Sequence, residues 1–425
     1  MRKWTRIGLM VVVIGSLSPS MGHSADYWVA PRGRDLERGG GRTRPWASLQ
    51  FAADHVKAGD SVHVLDGDYV GFYLSNGGTD LAPIRFIAEG KAVRIAQRNL
   101  KTPDGINIEG AGHIVVDGFV IDEMPRAGIR VTHSAQSTIR RIRADLNRSW
   151  GIFTSFCDDI LIEGNTASRS IREHGIYVSN SGDRPIIRGN VTRGNRMCGI
   201  HMNGDASQGG DGIISGALVE NNVVFDNGSG GGSGINCDGV QNSKIQNNLL
   251  YNNHASGISL YRINGAAGSI GNSVINNTIV QAADARWAVN IKNKSTNNLV
   301  VNNILFHNGS RGGINIAADS LSGFRSDYNI VVDRFSPDDG GHFIRLTDWR
   351  SATGLDRHSQ VSRPQDVFVN LESSDYHLRD GSPAIDAADP VLAPRMDIEG
   401  RPRPRGARPD AGAYEAKDGK TSSNR

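Results

Sequence analysis

The sequence is poor in features on which several common protein classes depend. Aromatic residues make up 6% of the 425 residues, and the chain has three cysteines, Cys157, Cys198 and Cys237. Because the cysteines are odd in number and widely spaced, a disulfide framework is not expected, and we predict three buried structural thiols. No long amphipathic helix pattern follows residue 60. Glycine, in contrast, is abundant at 52 residues.

The N-terminus has the pattern of an export signal. Arg2, Lys3 and Arg6 precede an apolar run over residues 7–17, and small and polar residues follow up to residue 25. This order predicts a signal peptide over residues 1–25, and its apolar run is too short to span a bilayer. No second apolar stretch approaches membrane-spanning length, so we expect a periplasmic or extracellular protein without a membrane span.

The charge balance excludes one large class of partner. The formal net charge is +3, and residues 1–25 carry three positive and no negative side chains, so removal of the signal leaves a chain with about zero net charge. A nearly neutral chain has no electrostatic basis for binding nucleic acid.

A repeated motif fixes the architecture. Glycine followed by isoleucine and then by alternating residues recurs at spacings of 23 to 35 residues. One coil of a three-sided β-solenoid needs about two dozen residues, and the leucine framework of a leucine-rich repeat is missing. Nine coils are counted in this way, at Gly105, Gly128, Gly151, Gly175, Gly199, Gly234, Gly257, Ala288 and Gly313.

A second feature runs in phase with the first. Six asparagines each begin a short apolar strand, at Asn165, Asn190, Asn222, Asn248, Asn277 and Asn303. Side-chain amides that stack at a turn can hydrogen-bond to their equivalents in the neighbouring coils. We therefore predict an asparagine ladder at one corner.

Within each coil the first strand has a period of two. Ile176 and Val178 are predicted to point inward and Tyr177 and Ser179 outward, and Cys237 falls in the inward set of its coil. Together the patterns predict an all-β protein, a right-handed three-sided parallel β-helix. We assign residues 26–100 to an N-terminal cap and first coils and residues 101–335 to the main β-helix.

Both ends of such a stack need covering, because open strand edges invite aggregation. Leu49, Ala52, Ala53 and Val56 lie at helical spacing and predict a capping helix over the first coil. Beyond the coils, residues 336–416 are predicted to form an irregular C-terminal segment with one short helix near residues 347–354. Residues 417–425 are predicted to be a disordered tail.

The ends of the mature chain also carry motifs of a known family. They are YWVAP (27–31), PWASLQ (45–50), AGD (58–60) and GDY (67–69), and then YHL (376–378), GSPAID (381–386) and DAGAYE (410–415). In these motifs the chain resembles secreted bacterial parallel β-helix proteins of the pectate-lyase-like superfamily. The resemblance implies the fold and a polysaccharide partner, but that fold hosts lyases, hydrolases, epimerases and binders.

Two coils are longer than the others and indicate where function lies. The distance along the chain from the start of the first strand to the ladder asparagine is 14 or 15 residues in four coils. It is 23 residues from Gly199 and 20 residues from Gly257. Both insertions, residues 205–212 and 262–268, leave from the same corner, and we predict that they wall a cleft. The outward side chains beside this cleft are predicted to bind sugar: Tyr177, Asn203, Asn236, Tyr261, Asn290 and Lys294.

The chemistry of the cleft is open between three alternatives. The first is a lyase that cleaves a uronate-containing polysaccharide by β-elimination, with His201, Asp238, Arg262 and Lys292 as catalytic residues. The second is a glycoside hydrolase that uses Asp205 and Asp238 as paired carboxylates. The third is a non-catalytic surface or matrix protein that only binds glycan. In each case we expect a monomer.

The resemblance bears on the choice of metal and catalytic groups. Similar lyases of the superfamily pair a Lys or His base with an Arg and often use calcium, which Asp205 and Asp211 are predicted to bind beside Asp238. The chain lacks the Arg and Lys spacing of the chondroitinase-B-like alginate lyases and the Asp cluster of the Lys-dependent calcium pectate lyases. His174, at a corner, is either an active-site member or a residue that fixes the coil.

Overall fold

A computed structural model of the protein describes residues 24–417. The predicted signal peptide lies almost wholly outside this range, and so does the predicted disordered tail. No helix within the described range is both long and apolar enough to cross a membrane.

Most strands stack into three parallel sheets, which the chain visits in turn, and strands are numbered along the chain. The first sheet contains β1 Asp26–Val29, β2 Ser61–Val64, β5 Ile84–Ala88, β8 Ile114–Asp117, β11 Thr138–Arg140, β14 Leu161–Glu163, β17 Ile186–Arg188, β21 Leu218–Glu220, β25 Lys244–Gln246, β28 Ser273–Ile275, β31 Leu299–Val301 and β34 Arg325–Asp327. The second sheet contains β3 Gly67–Val70, β6 Val93–Gln97, β9 Val120–Asp122, β12 Arg143–Asp145, β15 Thr166–Ser168, β18 Val191–Arg193, β22 Val223–Phe225, β26 Leu249–Tyr251, β29 Thr278–Gln281, β32 Ile304–His307, β35 Ile330–Val331 and β37 Gln360–Val361. The third sheet contains β4 Phe72–Leu74, β7 Ile106–Glu109, β10 Ala127–Thr132, β13 Trp150–Ser155, β16 Ile176–Ser179, β19 Ile200–Asn203, β23 Ser233–Asp238, β27 Ser256–Tyr261, β30 Val289–Ile291, β33 Ile314–Ile316 and β36 Phe335–Ser336.

The remaining elements are short. They are the parallel pair β20 Ile214–Ser215 and β24 Val240–Gln241, the antiparallel pair β38 Phe368–Asn370 and β39 Asp375–Leu378, the helices α1 Leu49–His55, α2 Leu346–Thr353 and α3 Pro364–Val367, and the 3-10 turns Ala206–Gln208 and Ala318–Ser320. The prediction of an all-β, three-sided parallel β-helix is confirmed.

The interior is a continuous apolar column. Ile176, Ile200, Ile235 and Ile258 are register partners in adjacent coils, and all four are fully buried. Cys237 is fully buried in the same interior, and all three cysteines are free and buried, as predicted. The alternation of side chains along each strand places these residues inside and their sequence neighbours outside.

The stack is longer than the nine coils predicted from the glycine-isoleucine motif. The three sheets contain 12, 12 and 11 strands, and the first sheet begins as early as β1. At both ends of the third sheet phenylalanine replaces isoleucine, as Phe72 in β4 and Phe335 in β36, and both side chains are fully buried. The search for Gly-Ile therefore missed these coils.

The asparagine ladder is confirmed in detail. The Asn222 Oδ1 atom accepts hydrogen bonds from the backbone N–H (2.9 Å) and the Nδ2 (3.0 Å) of Asn190, and Asn222 Nδ2 donates to Asn248 Oδ1 at 2.9 Å. The same pattern joins the six predicted asparagines and continues to Asn329. Since their side chains are buried, the ladder satisfies polar groups that would otherwise be orphaned.

Helix α1 covers the first end of the stack, as predicted. Its N-cap is Ser48, whose side chain accepts from the backbone N–H of Phe51 at 3.2 Å. Leu49, Ala52 and Ala53 are buried on the side that faces the coils. The cap thus follows from a hydroxyl at the first turn and an apolar stripe.

The C-terminal segment contains the predicted short helix, α2. The segment packs against the coils. Its apolar residues form a cluster with outward side chains of the second sheet. The contacts join Leu249, Val280, Ile304, Phe306 and Ile330 of the coils to Val367, Phe368, Tyr376, Leu378, Ala384 and Ala411. One face of the β-helix is therefore covered, whereas the outward face of the third sheet carries polar side chains.

Candidate functional site

Outward side chains of the third sheet form a column of register partners. Each side chain lies opposite its equivalent one coil away, so neighbours in the column are about 4.8 Å apart. The column runs through Phe153, Tyr177, His201, Asn236, Ser259, Asn290 and Asn315. Tyr177, Asn236 and Asn290 of this column are among the residues predicted to bind sugar, and His201 is among those predicted to be catalytic.

The two inserted loops do lie together, but they do not wall a cleft as predicted. The Ala206 N–H donates to the carbonyl of Asn264 at 2.9 Å, and the Ala266 N–H donates to the carbonyl of Gly212 at 3.0 Å. The loops therefore bind each other across the coil between them. They close the corner after the third sheet, and Ile263 of the second loop lines the groove on the outward face described below.

Asp238 anchors this closed corner. Its carboxylate accepts from the backbone N–H groups of Ile263 (2.8 Å), Asn264 (2.8 Å) and Gly265 (3.1 Å), and the residue is 2% exposed. Three amides around one carboxylate leave it little capacity for a substrate proton. The geometry fits a loop-positioning role, so the predicted catalytic role of Asp238 lacks structural support.

An open groove lies beside the column. Two adjoining cavities of about 390 and 290 Å³ share Arg286, Asn290 and Lys292, and we call the two together the groove. The first is also lined by His174, Met197, Cys198, His201, Gly232, Ser233, Asn236, Ser259, Tyr261 and Ile263. The second is also lined by Trp287, Arg311, Asn315, Asp339 and Gly340.

The structure brings five of the predicted site residues into the groove: His201, Asn236, Tyr261, Asn290 and Lys292. The Tyr261 hydroxyl accepts from Asn236 Nδ2 at 2.7 Å, and burial raises the pKa of Tyr261 above its ordinary value. Tyr261 therefore keeps its proton near neutral pH and is suited to donate it rather than to act as a base.

Four other predicted residues lie outside the lining of the groove. Tyr177, the column residue one coil before His201, packs its ring against His201 at 4.8 Å and accepts a hydrogen bond from Asn203 at 3.0 Å. Arg262, at the start of the second inserted loop, and Lys294, in the turn after β30, are exposed and do not line the groove.

The predicted calcium ligands are not gathered into one site. Asp205 Oδ1 accepts from the N–H of Ser207 at 3.0 Å, and Asp211 Oδ1 accepts from the N–H of Ile213 at 2.9 Å, as turn-forming aspartates do. Neither they nor Asp238 belong to a group of three metal-binding side chains in residues 24–417. Backbone amides donate to one carboxylate oxygen of Asp205 and of Asp211, and to both carboxylate oxygens of Asp238. The pairing of Asp205 with Asp238 for hydrolysis gains no support either.

The positive charges of the groove come mainly from residues that the sequence reasoning missed. Arg286 and Arg311 are exposed, and neither guanidinium has a carboxylate within 4.0 Å in the described chain. Lys292 Nζ lies 3.8 Å from Asp339 Oδ2. Three cations and one carboxylate thus line the groove, which favours an anionic ligand. Both arginines lie two positions before the residue that starts a coil, Ala288 or Gly313. This shared position in the repeat could have identified them from the sequence.

One group of three metal-binding side chains does occur in the described residues, with ligand atoms within 4.8 Å of one another: His174, Cys198 and His201. The backbone N–H of Cys198 donates to His174 Nδ1 at 3.1 Å, and His174 Nε2 lies 3.0 Å from His201 Nδ1. Because Nδ1 of His174 accepts, its proton sits on Nε2, where a metal would need a lone pair. The contacts therefore favour a chain of hydrogen bonds.

The comparisons with known proteins agree with this fold. Residues 60–208 and 168–329 match the family model described as "Right handed beta helix region". The chain is 26% identical over 439 aligned residues to the uncharacterized protein YwoF of Bacillus subtilis (strain 168), a match that covers 85% of this chain and 92% of YwoF.

Solved structures are similar over most of the stack. Pectate lyase Pel9A matches with a TM-score of 0.66 and 17% identity over 94% of this chain and 98% of its own. An alginate lyase from Paenibacillus sp. str. FPU-7 matches with a TM-score of 0.51 and 20% identity over 59% of this chain and 90% of its own. At these identities the likeness shows the shared fold.

Proposed function

We propose, for a chain that belongs to the right-handed β-helix family, that the groove binds an acidic polysaccharide and cleaves it by β-elimination. The similar folds of a pectate lyase and an alginate lyase support this choice of substrate class. On the basis of the predicted signal peptide, we also propose a periplasmic or extracellular location, and we propose that the protein is a monomer.

One observation carries the proposal. Arg286, Lys292 and Arg311 line the same groove on adjacent coils, and they face it together with polar side chains that suit sugar hydroxyls. Guanidinium groups match the planar geometry of a carboxylate and bind it in a bidentate manner. A uronate chain laid along the stack would meet these cations at its carboxylates.

The reaction needs three tasks, and the groove offers a side chain for each. Arg286 and Arg311 neutralise the carboxylate beside carbon 5, which stabilises the charge that develops there. Lys292 is the candidate base that takes the proton from carbon 5. The bond from carbon 4 to the glycosidic oxygen then breaks, a double bond forms between carbons 4 and 5, and Tyr261 donates its proton to the departing oxygen.

The test follows the unsaturated uronate that elimination creates, through its ultraviolet absorbance. The purified protein is incubated with polygalacturonate, alginate and a glycosaminoglycan, in parallel with and without a metal chelator. We expect the absorbance to rise with at least one polymer, and Lys292→Ala to slow it by about 10²- to 10⁴-fold, the usual contribution of a general base. Lys244→Ala, an exposed lysine of the first sheet, is the matched control and should leave the rate unchanged.

Two other outcomes would contradict the proposal. New reducing ends without the ultraviolet signal would indicate a hydrolase, and neither product would indicate a binder. A large fall in the cleavage rate on addition of the chelator would show that a metal takes part. The contacts of Asp205, Asp211 and Asp238, which do not form one metal site, do not predict that result.

A further inference from the structure

A chain of hydrogen bonds ends at the floor of the groove with an unused donor. The Cys198 N–H donates to His174 Nδ1 at 3.1 Å, so the neutral His174 has its proton on Nε2 and donates it to His201 Nδ1 at 3.0 Å. His201 in turn has its proton on Nε2. That atom is buried and has no hydrogen-bond partner in the described part of the protein.

From this geometry we infer that His174 is a positioning residue that locks His201 as a neutral hydrogen-bond donor, with Nε2–H presented to a substrate oxygen in the groove. The inference rests on the proposed function for its ligand, an acidic oligosaccharide. In this tautomer the Nε2 atom of His201 is a hydrogen-bond donor. It can donate to a sugar oxygen but cannot accept a proton as a base. A sugar oxygen that reaches Nε2 has to displace the side chains that cover it.

The surroundings of both rings support the neutral state. His174 is 7% exposed, and burial lowers its pKa to about 3; burial together with the nearby His174 lowers the pKa of His201 as well. Glu173 acts in the opposite direction, because a nearby carboxylate favours a protonated ring, but its Oε2 lies 3.8 Å from His174 Nε2 and already accepts from Trp150 Nε1 at 2.8 Å. Tyr177 stacks on His201, and Asn203 donates to the Tyr177 hydroxyl.

The same hydrogen bonds disfavour a metal ion at these residues. A metal ion at His174 Nε2 would need the proton to move to Nδ1, where it would oppose the Cys198 N–H. The orphaned Nε2–H of His201 is also a donor and not a ligand atom. The tautomers of the two rings therefore distinguish a sugar-facing donor from a metal site. They can be measured without an activity assay.

The tautomers can be read directly in the full-length protein by nuclear magnetic resonance with ¹⁵N-labelled histidine, the two rings being assigned with single-site variants. At pH 7 we expect both rings to be neutral with the proton on Nε2, and to stay so about two pH units below the ordinary histidine pKa of about 6.5. Added Zn²⁺ should leave both signals in place. Protonation of either ring above that pH, a proton on Nδ1, or a Zn²⁺-dependent shift would overturn the inference.

Two variants of His174 separate positioning from simple packing. His174→Gln keeps one acceptor for the Cys198 N–H and one donor for His201, so the Nε2–H form of His201 should persist. His174→Leu removes both, and His201 should then populate both tautomers. If the leucine variant does not fold, the wild-type titration and the glutamine variant still decide the matter, because an Nδ1–H signal in either contradicts the lock.

Binding tests the sugar-facing end of the chain. His201→Phe keeps a ring against Tyr177 and removes the donor, and we expect the affinity for oligogalacturonate to fall about tenfold. An unchanged affinity would overturn the donor assignment. If wild-type protein binds no acidic oligosaccharide, the proposed function fails, whereas the tautomer measurement, made without sugar, still tests the lock.

Discussion

Replacement of Asn222 by alanine is expected to destabilise the protein by about 3–5 kcal/mol, because the change leaves several buried groups without partners. The Asn222 side chain is fully buried, receives two hydrogen bonds from Asn190 and donates to Asn248 Oδ1 and to the Ile187 carbonyl, all at 2.9–3.0 Å. Equilibrium denaturation with urea, followed by circular dichroism, measures the loss.

The matched control is Asn308→Ala. Asn308 is exposed, and its side chain has no hydrogen bond within the described residues, so the free energy of unfolding should change by less than about 0.5 kcal/mol. Equal effects of the two substitutions would show that the ladder contributes no more than a surface amide. The coils would then be held by their apolar interior alone.

The second large effect is expected at Asp238. In Asp238→Asn an amide group replaces a carboxylate that accepts from three backbone N–H groups, so at least one of these donors faces another donor. Hydrogen bonds to a charged group contribute about 1.5–3 kcal/mol each, so we expect a loss of about 3 kcal/mol confined to the loop over residues 262–268. Amide hydrogen exchange at Ile263, Asn264 and Gly265 should accelerate by about 100-fold.

Asp211→Asn provides the control on the facing loop. Asp211 is exposed and accepts one backbone hydrogen bond, from Ile213, so its replacement should alter exchange only locally and by less than about 1 kcal/mol. If Asp238→Asn instead abolished cleavage while the three amides kept their protection, the residue would be catalytic, as the sequence first indicated.

The sequence was sufficient for the fold because each coil repeats the same local rule. Inward Ile176 and Ile200 and the ladder residue Asn222 recur at nearly fixed intervals, and stacking converts that interval into a column. The rule failed where the residue type changed, as at Phe72. It also gave no warning that the second sheet would be covered, although strands such as β32, Ile304–His307, are apolar on both faces.

The site was harder to predict because its contacts are not periodic. The partners of Asp238 come from a loop about 25 residues away, and no local pattern states that this loop folds back onto the carboxylate. Arg286 and Arg311 lie at corners and not in strands, so the strand-based search passed over them. The column residue His201 was found, and so was Lys292, which directly follows β30, since their positions follow from the alternation along a strand.

The central claim is that the groove over the third sheet binds an acidic sugar chain through its arginines, and the affinity for oligogalacturonate tests it most directly. Titration calorimetry would compare the wild-type protein with the double variant Arg286→Ala, Arg311→Ala. The control is Arg325→Ala with Arg357→Ala, two exposed arginines beside a different cavity. Loss of two charge-assisted contacts predicts binding at least about 30-fold weaker in the first variant. Wild-type affinity in that variant, or equal losses in both, would contradict the account.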